Sequence, residues 1–213
     1  MISIHFTRRM HIVIFMMSML LATLASPLHA QVTPPDVVVK TTLEGALKQL
    51  RERREEFAAD NAKLTRAIHD TLGPAINFEL FSKAVLGNHW RKASEQQRKD
   101  FVEEFKRLLI ETYASAVFNY SGETINFLPF SNPENKQRVK VQTEFISKTG
   151  TKIPMIFSMN IKGDTQWKVY NIKIQTPEAT IELIPLYRSD FRERVSSQGL
   201  DKLIADMRAK NNR

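Results

Sequence analysis

The spacing of the apolar residues changes near residue 120, and this change constrains the fold more than any other feature of the sequence. Before it, apolar residues recur every three or four positions, which predicts helices; after it, they alternate with polar residues, which predicts strands. Helical spacing returns beyond Pro177. Alternating strands suit an antiparallel sheet with one buried and one solvated face. The sequence therefore predicts an α+β fold, with helices gathered on one face of a four-stranded antiparallel sheet.

The helices before this change can be placed from the signals at their ends. We expect helices over residues 37–59, 62–72 and 77–86, and a long one that reaches about residue 120. Gly87 ends the third helix, and Ser94 with Gln97 three residues later forms a capping box at the start of the long one. The polar segment between them, which holds His89, is therefore predicted to be a joint and not a catalytic cluster.

Four strands and two further helices follow. The strands are predicted at residues 123–130, 137–147, 152–162 and 166–174, and the helices at residues 181–195 and 200–207. Thr149-Gly150 and Gly163-Asp164 supply hairpin turns. The third strand alternates most regularly, because Met155, Phe157 and Met159 face one way while the polar residues between them face the other.

The first thirty residues have the three-part layout of a secretory signal peptide. Arg8 and Arg9 precede an apolar run over residues 12–24, and a small residue, Ala30, follows Pro27. We expect cleavage after Ala30, which leaves residues 31–213 as a single domain with a flexible leader at residues 31–36. The alternative is an uncleaved membrane anchor, but the run is shorter than the roughly 20 apolar residues that span a bilayer.

The charge balance bears on partners. Removal of Arg8 and Arg9 with the signal peptide leaves 29 basic and 23 acidic residues, a net charge of +6. For an exported protein this excess favours an anionic membrane surface or an acidic partner protein over nucleic acid. The sequence has no cysteine, so disulfides and lipid attachment through a thiol are excluded, and stability must come from packing.

Few residues could carry chemistry. Outside the signal peptide the sequence has two histidines, His69 and His89, without further ligands at metal-binding spacing. Glu144 and Glu182 are the sharpest candidates for a buried acid, but neither has a partner at the spacing of a known motif. We therefore expect no metal site, no cofactor and no catalytic site.

Apolar stripes are the remaining candidates for function. One follows the long helix and another follows the third strand, and both contain aromatic residues. Aromatic and methionine side chains fill cores, and they also line pockets for flexible apolar ligands. Because a core and a pocket share the same pattern in the sequence, both interpretations stay open at this point.

Two segments carry a resemblance to a known family. Residues 78–129, FELFSKAVLGNHWRKASEQQRKDFVEEFKRLLIETYASAVFNYSGETINFLP, resemble MlaC, the toluene-tolerance auxiliary family, which is the periplasmic phospholipid-binding component of the Mla lipid-transport system. Residues 187–204, YRSDFRERVSSQGLDKLI, are similar to the family's C-terminal pattern, and Trp167 with Tyr170-Asn171 fits its last strand. The matching residues of the first segment are Leu86, Gly87, Trp90, Arg91, Ser94, Gln97, Phe101, Phe105, Leu108, Leu109, Tyr113, Ala114 and Tyr120.

The resemblance implies a fold related to the NTF2-like cone, in which helices and a sheet enclose a deep apolar pocket. It implies phospholipid as cargo, a periplasmic location, and partners in an inner-membrane ABC transporter complex and an outer-membrane lipoprotein complex. The carrier itself would hydrolyse nothing, and we expect a monomer. One departure is that residues 175–188, QTPEATIELIPLYR, lack the glycine of the Glu-Gly-Val-Ser pattern that the family usually has after its last strand.

Under this hypothesis the two apolar stripes and a later helix line the pocket. The residues expected to contact lipid are Phe105, Leu109, Tyr113, Val117, Val141, Met155, Phe157, Met159, Ile184 and Tyr187. Two rival hypotheses are an enzyme on the same cone-shaped fold, which needs His89 or Glu144 to point into the pocket, and a structural adaptor of a transporter that has no cavity.

Overall fold

The computed structural model describes residues 32–118, 124–131, 136–147, 149–161 and 166–212, without the side chains of residues 116 and 117. The predicted signal peptide and the predicted Gly163-Asp164 turn lie outside these residues. Within the described ranges, none of the helices is both long and apolar enough to cross a membrane.

Helices make up both ends of the described chain. They are α1 (Pro35–Glu52), α2 (Arg54–Ala59), α3 (Asn61–Leu72), α4 (Phe78–Leu86), α5 (Asn88–Lys92), α6 (Glu95–Phe118), α7 (Leu183–Gln198) and α8 (Leu200–Asn211). The predicted helix over residues 37–59 is thus two helices, which meet at Arg53. The prediction of a flexible leader is wrong for Pro35 and Asp36, because α1 begins at Pro35, whose fixed φ suits the first turn of a helix.

Side-chain caps fix where several helices begin. The carboxylate of Asp60 accepts from the backbone N–H groups of Ala62 and Lys63 at the start of α3. The predicted capping box is confirmed: Ser94 Oγ accepts from Gln97 N at 3.1 Å, and Gln97 Oε1 accepts from Ser94 N at 2.9 Å. The joint before it is the short helix α5, which follows Gly87 at a φ of 55°.

Within the described residues the sheet has five antiparallel strands, whereas the sequence predicts four. They are β1 (Thr124–Phe127), β2 (Arg138–Ile146), β3 (Lys152–Asn160), β4 (Lys168–Gln175) and β5 (Thr180–Glu182), in the spatial order β1-β2-β3-β4-β5. The predicted helix began at residue 181, but Ile181 pairs with Ile174 of β4. The β-branched Thr180 and Ile181 favour a strand, and this pairing satisfies backbone groups at the edge of the sheet.

The turn between β4 and β5 forms without the family's glycine. The N–H of Thr176 donates to the carbonyl of Ala179 at 2.9 Å, and its hydroxyl accepts from the N–H of Ala179 at 3.1 Å. A threonine side chain thus closes the turn by local hydrogen bonds.

Alternation along the strands separates two faces of the sheet. We call the face that carries Val139, Val141 and Phe157 the inner face, because these side chains are buried. The outer face carries the alternate residues of β2, including Arg138 and Lys140, which are exposed. The inner face packs against α1 through Val38 and the neighbouring Val39.

Candidate functional site

A first apolar cluster lies among the helices at the β4 side of the sheet. We call it the helical cluster, and its buried members are Phe81, Val85, Leu86, Trp90, Phe101, Phe105, Leu108, Leu109, Leu183, Ile184, Phe191, Leu203, Ile204 and Met207. These residues come from α4 to α8, and α6 supplies its centre.

Phe105 is at the middle of this cluster. Its ring centroid lies 5.1 Å from that of Tyr187, 5.4 Å from Phe81, 5.6 Å from Phe101 and 5.7 Å from Phe191. Its side chain is 0% exposed. A ring with four aromatic neighbours at these distances is in a close-packed environment.

Two tyrosines lie at the border of the helical cluster. Tyr113 and Tyr187 are half-buried and pack against it. Burial raises the pKa of the Tyr187 hydroxyl, and its interaction with Tyr113 raises that pKa further. The Tyr187 hydroxyl therefore stays protonated in the physiological range and can serve as a hydrogen-bond donor at the border of an apolar region.

A second apolar cluster covers the inner face. We call it the inner-face cluster, and its buried members are Val38, Val39, Ala75, Val139, Val141, Phe157, Met159, Trp167 and Val169. Ile76 and Ile172 are half-buried and pack against both clusters. They therefore mark where the two clusters meet. Asn77 fixes this meeting point to the sheet, because its N–H donates to the carbonyl of Val169 at 2.7 Å.

The side chains of the inner face become less buried along the strands. One row of paired residues crosses all five strands, and we call it the half-buried row: Phe127, Thr143, Met155, Ile174 and Ile181. Phe127, Met155 and Ile174 are half-buried, and Ile181 is 38% exposed. The next row, formed by Ile125, Phe145 and Ile153, is half-buried as well. This end of the inner face is an apolar surface that neighbouring elements cover in part.

Thr143 is the exception in the half-buried row, because its side chain is 1% exposed. Within the described part of the chain its hydroxyl has no hydrogen-bond partner. A buried hydroxyl without a partner destabilises the fold by about 1–3 kcal/mol. Thr143 thus contributes a buried hydroxyl, without a partner among the described residues, to an otherwise apolar row.

The structure divides the predicted lipid-contacting residues between the two clusters. Phe105, Leu109 and Ile184 belong to the helical cluster, and Tyr113 and Tyr187 pack against it. Val141, Phe157 and Met159 belong to the inner-face cluster, and Met155 packs against it. Val117 is in α6, but its side chain lies outside the described residues.

Two open clefts lie elsewhere on the surface. The larger, with a volume of about 700 Å³, lies beside β2 and the segment that follows β1. A smaller one lies along α7. Neither is lined by any of the ten predicted residues. The ten predicted residues do not include Ile76 and Ile172 at the meeting point, nor Phe145 and Ile153, although the last two follow the alternating pattern.

The candidate acids and bases are engaged in local interactions. Glu144 accepts from Asn126 at 3.2 Å and lies 3.3 Å from Lys152 Nζ, and these two neighbours lower its pKa. Glu182 accepts from Asn171 at 2.6 Å. His69 contacts Asp70, and its side chain is exposed. His89 is half-buried in α5. Among the residues that the structure covers, no three His, Asp or Glu side chains gather as a metal site.

Sequence comparisons identify relatives over most of the chain. The model of the family described as MlaC protein matches residues 40–209. Toluene tolerance protein ttg2D of Pseudomonas putida is 30% identical over 176 residues, which cover 81% of this chain and 78% of that protein. The intermembrane phospholipid transport system binding protein MlaC of Haemophilus influenzae is 23% identical over 177 residues, 82% of this chain and 81% of that protein.

A solved structure shares the fold. The phospholipid-binding protein from Ralstonia solanacearum, in complex with a phospholipid, matches with a TM-score of 0.75 and 22% identity. The match covers 84% of this chain and 98% of the other. The α+β architecture predicted from the sequence is therefore confirmed, with a fifth strand added. Together with the family match over residues 40–209, these findings show that the chain belongs to the MlaC family.

Proposed function

We propose that this protein binds a phospholipid by its acyl chains and carries it through the periplasm between an outer-membrane complex and an inner-membrane transporter complex. The observation that carries this proposal is that the protein from Ralstonia solanacearum, which has the same fold, holds a phospholipid. The names of the two sequence relatives, a toluene tolerance protein and a phospholipid transport binding protein, support it.

The half-buried row provides the physical reason for placing the acyl chains on the inner face. Apolar surface that stays in contact with water is unfavourable, and each methylene group removed from water contributes about 0.8 kcal/mol. An acyl chain along Phe127, Met155 and Ile174 would remove its own methylene groups and these three side chains from water together. Of the ten predicted residues, we expect Met155, Phe157 and Tyr113 to contact lipid, whereas Phe105 and Met159 pack the protein interior.

The lipid head group would lie at the edge of this surface. Lys40 of α1 is exposed, and its Nζ lies 5.9 Å from the ring centroid of Phe127. An ammonium group at the border of an apolar surface can meet the phosphate of a lipid whose chains lie on that surface.

Transport of this kind requires no bond to be made or broken. The carboxylates considered as general acids have hydrogen-bonded partners, and the pKa of Glu144 is lowered, whereas a general acid at neutral pH needs a raised pKa. Release of the lipid would depend on a partner that offers the acyl chains another apolar environment, because water cannot extract them.

A transfer assay tests the proposal. Donor vesicles with a labelled phospholipid and acceptor vesicles are separated by a membrane that passes the protein but not the vesicles. We expect label to reach the acceptors in proportion to protein concentration, and Met155→Asp to reduce the transfer rate. Absence of transfer, although the folded protein crosses the membrane freely, would contradict the carrier function.

A further inference from the structure

The larger cleft is lined mainly by outer-face residues of β2 and by the segment that follows β1. It is lined by Leu128, Pro129, Phe130, Ser131, Lys136, Arg138, Val139, Lys140, Gln142 and Tyr170. Lys136, Arg138 and Lys140 alternate along one strand and its approach, and all three are exposed. Residues two apart on a strand are about 7 Å apart and point to the same side. The cleft therefore carries a line of three positive charges.

These charges are unpaired within the described residues, in contrast to many other cations of the protein. Lys63, Lys99 and Arg194, for example, each lie within 4 Å of a carboxylate. For Lys136, Arg138 and Lys140, no ion pair occurs in the described ranges, and no Asp or Glu is among the described lining residues. Glu144, which follows Gln142 on the same face of β2, is already engaged by Lys152. Among the residues that the structure describes, the cleft thus carries positive charge without a carboxylate that pairs with it.

The surroundings of the charges are apolar and aromatic. The guanidinium carbon of Arg138 lies 5.6 Å from the ring centroid of Tyr170, which orients that side chain over the cleft. Pro129 is exposed and Phe130 is half-buried at its border. Lys168 of β4 extends the positive surface across the outer face. It pairs in register with Asn160 of β3, which in turn pairs with Arg138.

This combination fits one class of partner. Lysine and arginine beside tyrosine, with apolar residues at the border, are the side chains favoured at the head-group level of a bilayer. Separated lysines act as point charges, which suits mobile phosphates better than a protein partner of fixed geometry. We propose that this basic cleft is a membrane-contact site that binds the head groups of anionic phospholipids at a bilayer surface. The site is distinct from the cargo site on the inner face and does not depend on cargo being bound.

Vesicle co-sedimentation tests the proposal with phosphatidylcholine vesicles, with and without phosphatidylglycerol. The test variant is the triple substitution Lys136→Gln, Arg138→Gln and Lys140→Gln. We expect the wild-type protein to bind phosphatidylglycerol vesicles, with affinity that falls as salt rises. The triple variant should lose about 10- to 100-fold in affinity, the scale expected for three cations near an anionic surface. Its phospholipid content after purification should stay unchanged, which separates this site from the cargo site.

The matched control removes the same charge elsewhere. Arg66→Gln, Lys83→Gln and Lys92→Gln change three exposed cations on α3, α4 and α5. We expect this control to bind vesicles nearly as the wild-type protein does. An equal loss in both triple variants would mean that net charge alone attracts the membrane, and it would overturn the proposal. It would also be overturned by vesicle binding that the cleft variant retains, or by a cleft that binds a poly-glutamate peptide but not phosphatidylglycerol vesicles.

Discussion

The helical cluster and the half-buried row are both apolar, but the protein encloses one and leaves the other partly open. In the helical cluster, Phe105 is fully buried and has four aromatic neighbours. In the half-buried row, the side chains of Met155 and Ile174 stay partly exposed to solvent. Side chains of the same type therefore serve two purposes, since one set stabilises the fold and the other remains available to a ligand.

The difference follows from what lies over each set. Helices α4 to α8 surround Phe105 on several sides. The inner face meets α1 near Val139 and Met159, and the cover decreases over the following rows. An apolar surface that the chain covers only in part is a candidate binding surface for apolar groups. The comparison predicts that substitutions in the helical cluster change mainly stability and that substitutions in the half-buried row change mainly lipid binding.

The largest expected effect is in the helical cluster. Phe105→Ala should lower the free energy of unfolding by about 3–5 kcal/mol, because it leaves a cavity among four rings. Met155→Ala should lower it by about 1–2 kcal/mol, because that side chain is only half-buried. Urea denaturation of delipidated protein measures both. Equal losses for the two variants would remove the distinction between the regions.

A smaller effect is expected where α6 meets α8. Glu104 is buried and accepts from Arg208 at 2.8 Å and from Asn211 at 2.9 Å. Burial acts to raise its pKa, but these hydrogen bonds and the charge of Arg107 outweigh burial, so that the pKa of Glu104 falls below its ordinary value of 4.5. Glu104→Gln should cost about 1–3 kcal/mol in the free energy of unfolding at neutral pH, since the charge-assisted bonds weaken.

The direction of this pKa shift determines how the stabilisation by Glu104 depends on pH. Because the pKa is lowered in the folded protein, the stabilisation is complete above pH 4.5 and is lost as the pH falls through the folded-state pKa. The stability difference between wild type and Glu104→Gln should therefore shrink on acidification. Denaturation curves at a series of pH values measure it; a difference that stays constant would show that Glu104 acts through packing alone.

The third effect changes lipid binding more than stability. Met155→Asp places a carboxylate where we expect an acyl chain, and the phospholipid bound per folded protein should fall at least about tenfold, since an unpaired charge is costly against hydrocarbon. Ile156→Asp is the matched control: it puts the same charge on the next residue of β3, which faces the other side of the sheet. Equal lipid content in the two variants would contradict the placement of the acyl chains.

Local signals in the sequence predicted most elements of the fold. The change of apolar spacing located helices and strands, and Ser94 with Gln97 marked the start of the longest described helix. The predicted helix over residues 181–195 includes Ile181, whereas pairing with Ile174 makes this residue part of a strand. That pairing depends on contacts between separate elements, which apolar spacing does not encode.

The candidate site was harder to predict. Helical spacing identified Phe105 as inward-facing and strand alternation identified Met155, but neither pattern encodes how far other elements cover the side chain, and their exposure differs for that reason. The basic cleft had a signal in the sequence, the alternation of Lys136, Arg138 and Lys140 on the polar side of a strand. The sequence does not encode that Tyr170, from another strand, lies beside Arg138 and completes the cleft.

The mass of the intact folded protein tests the central claim most directly. The claim is that the partly covered inner face holds hydrocarbon chains of a phospholipid. Native mass spectrometry after gentle purification should show the protein with the added mass of phospholipid, and collisional release should yield that lipid. A mass equal to the polypeptide alone, both after purification and after incubation with phospholipid vesicles, would contradict the claim and favour a structural adaptor.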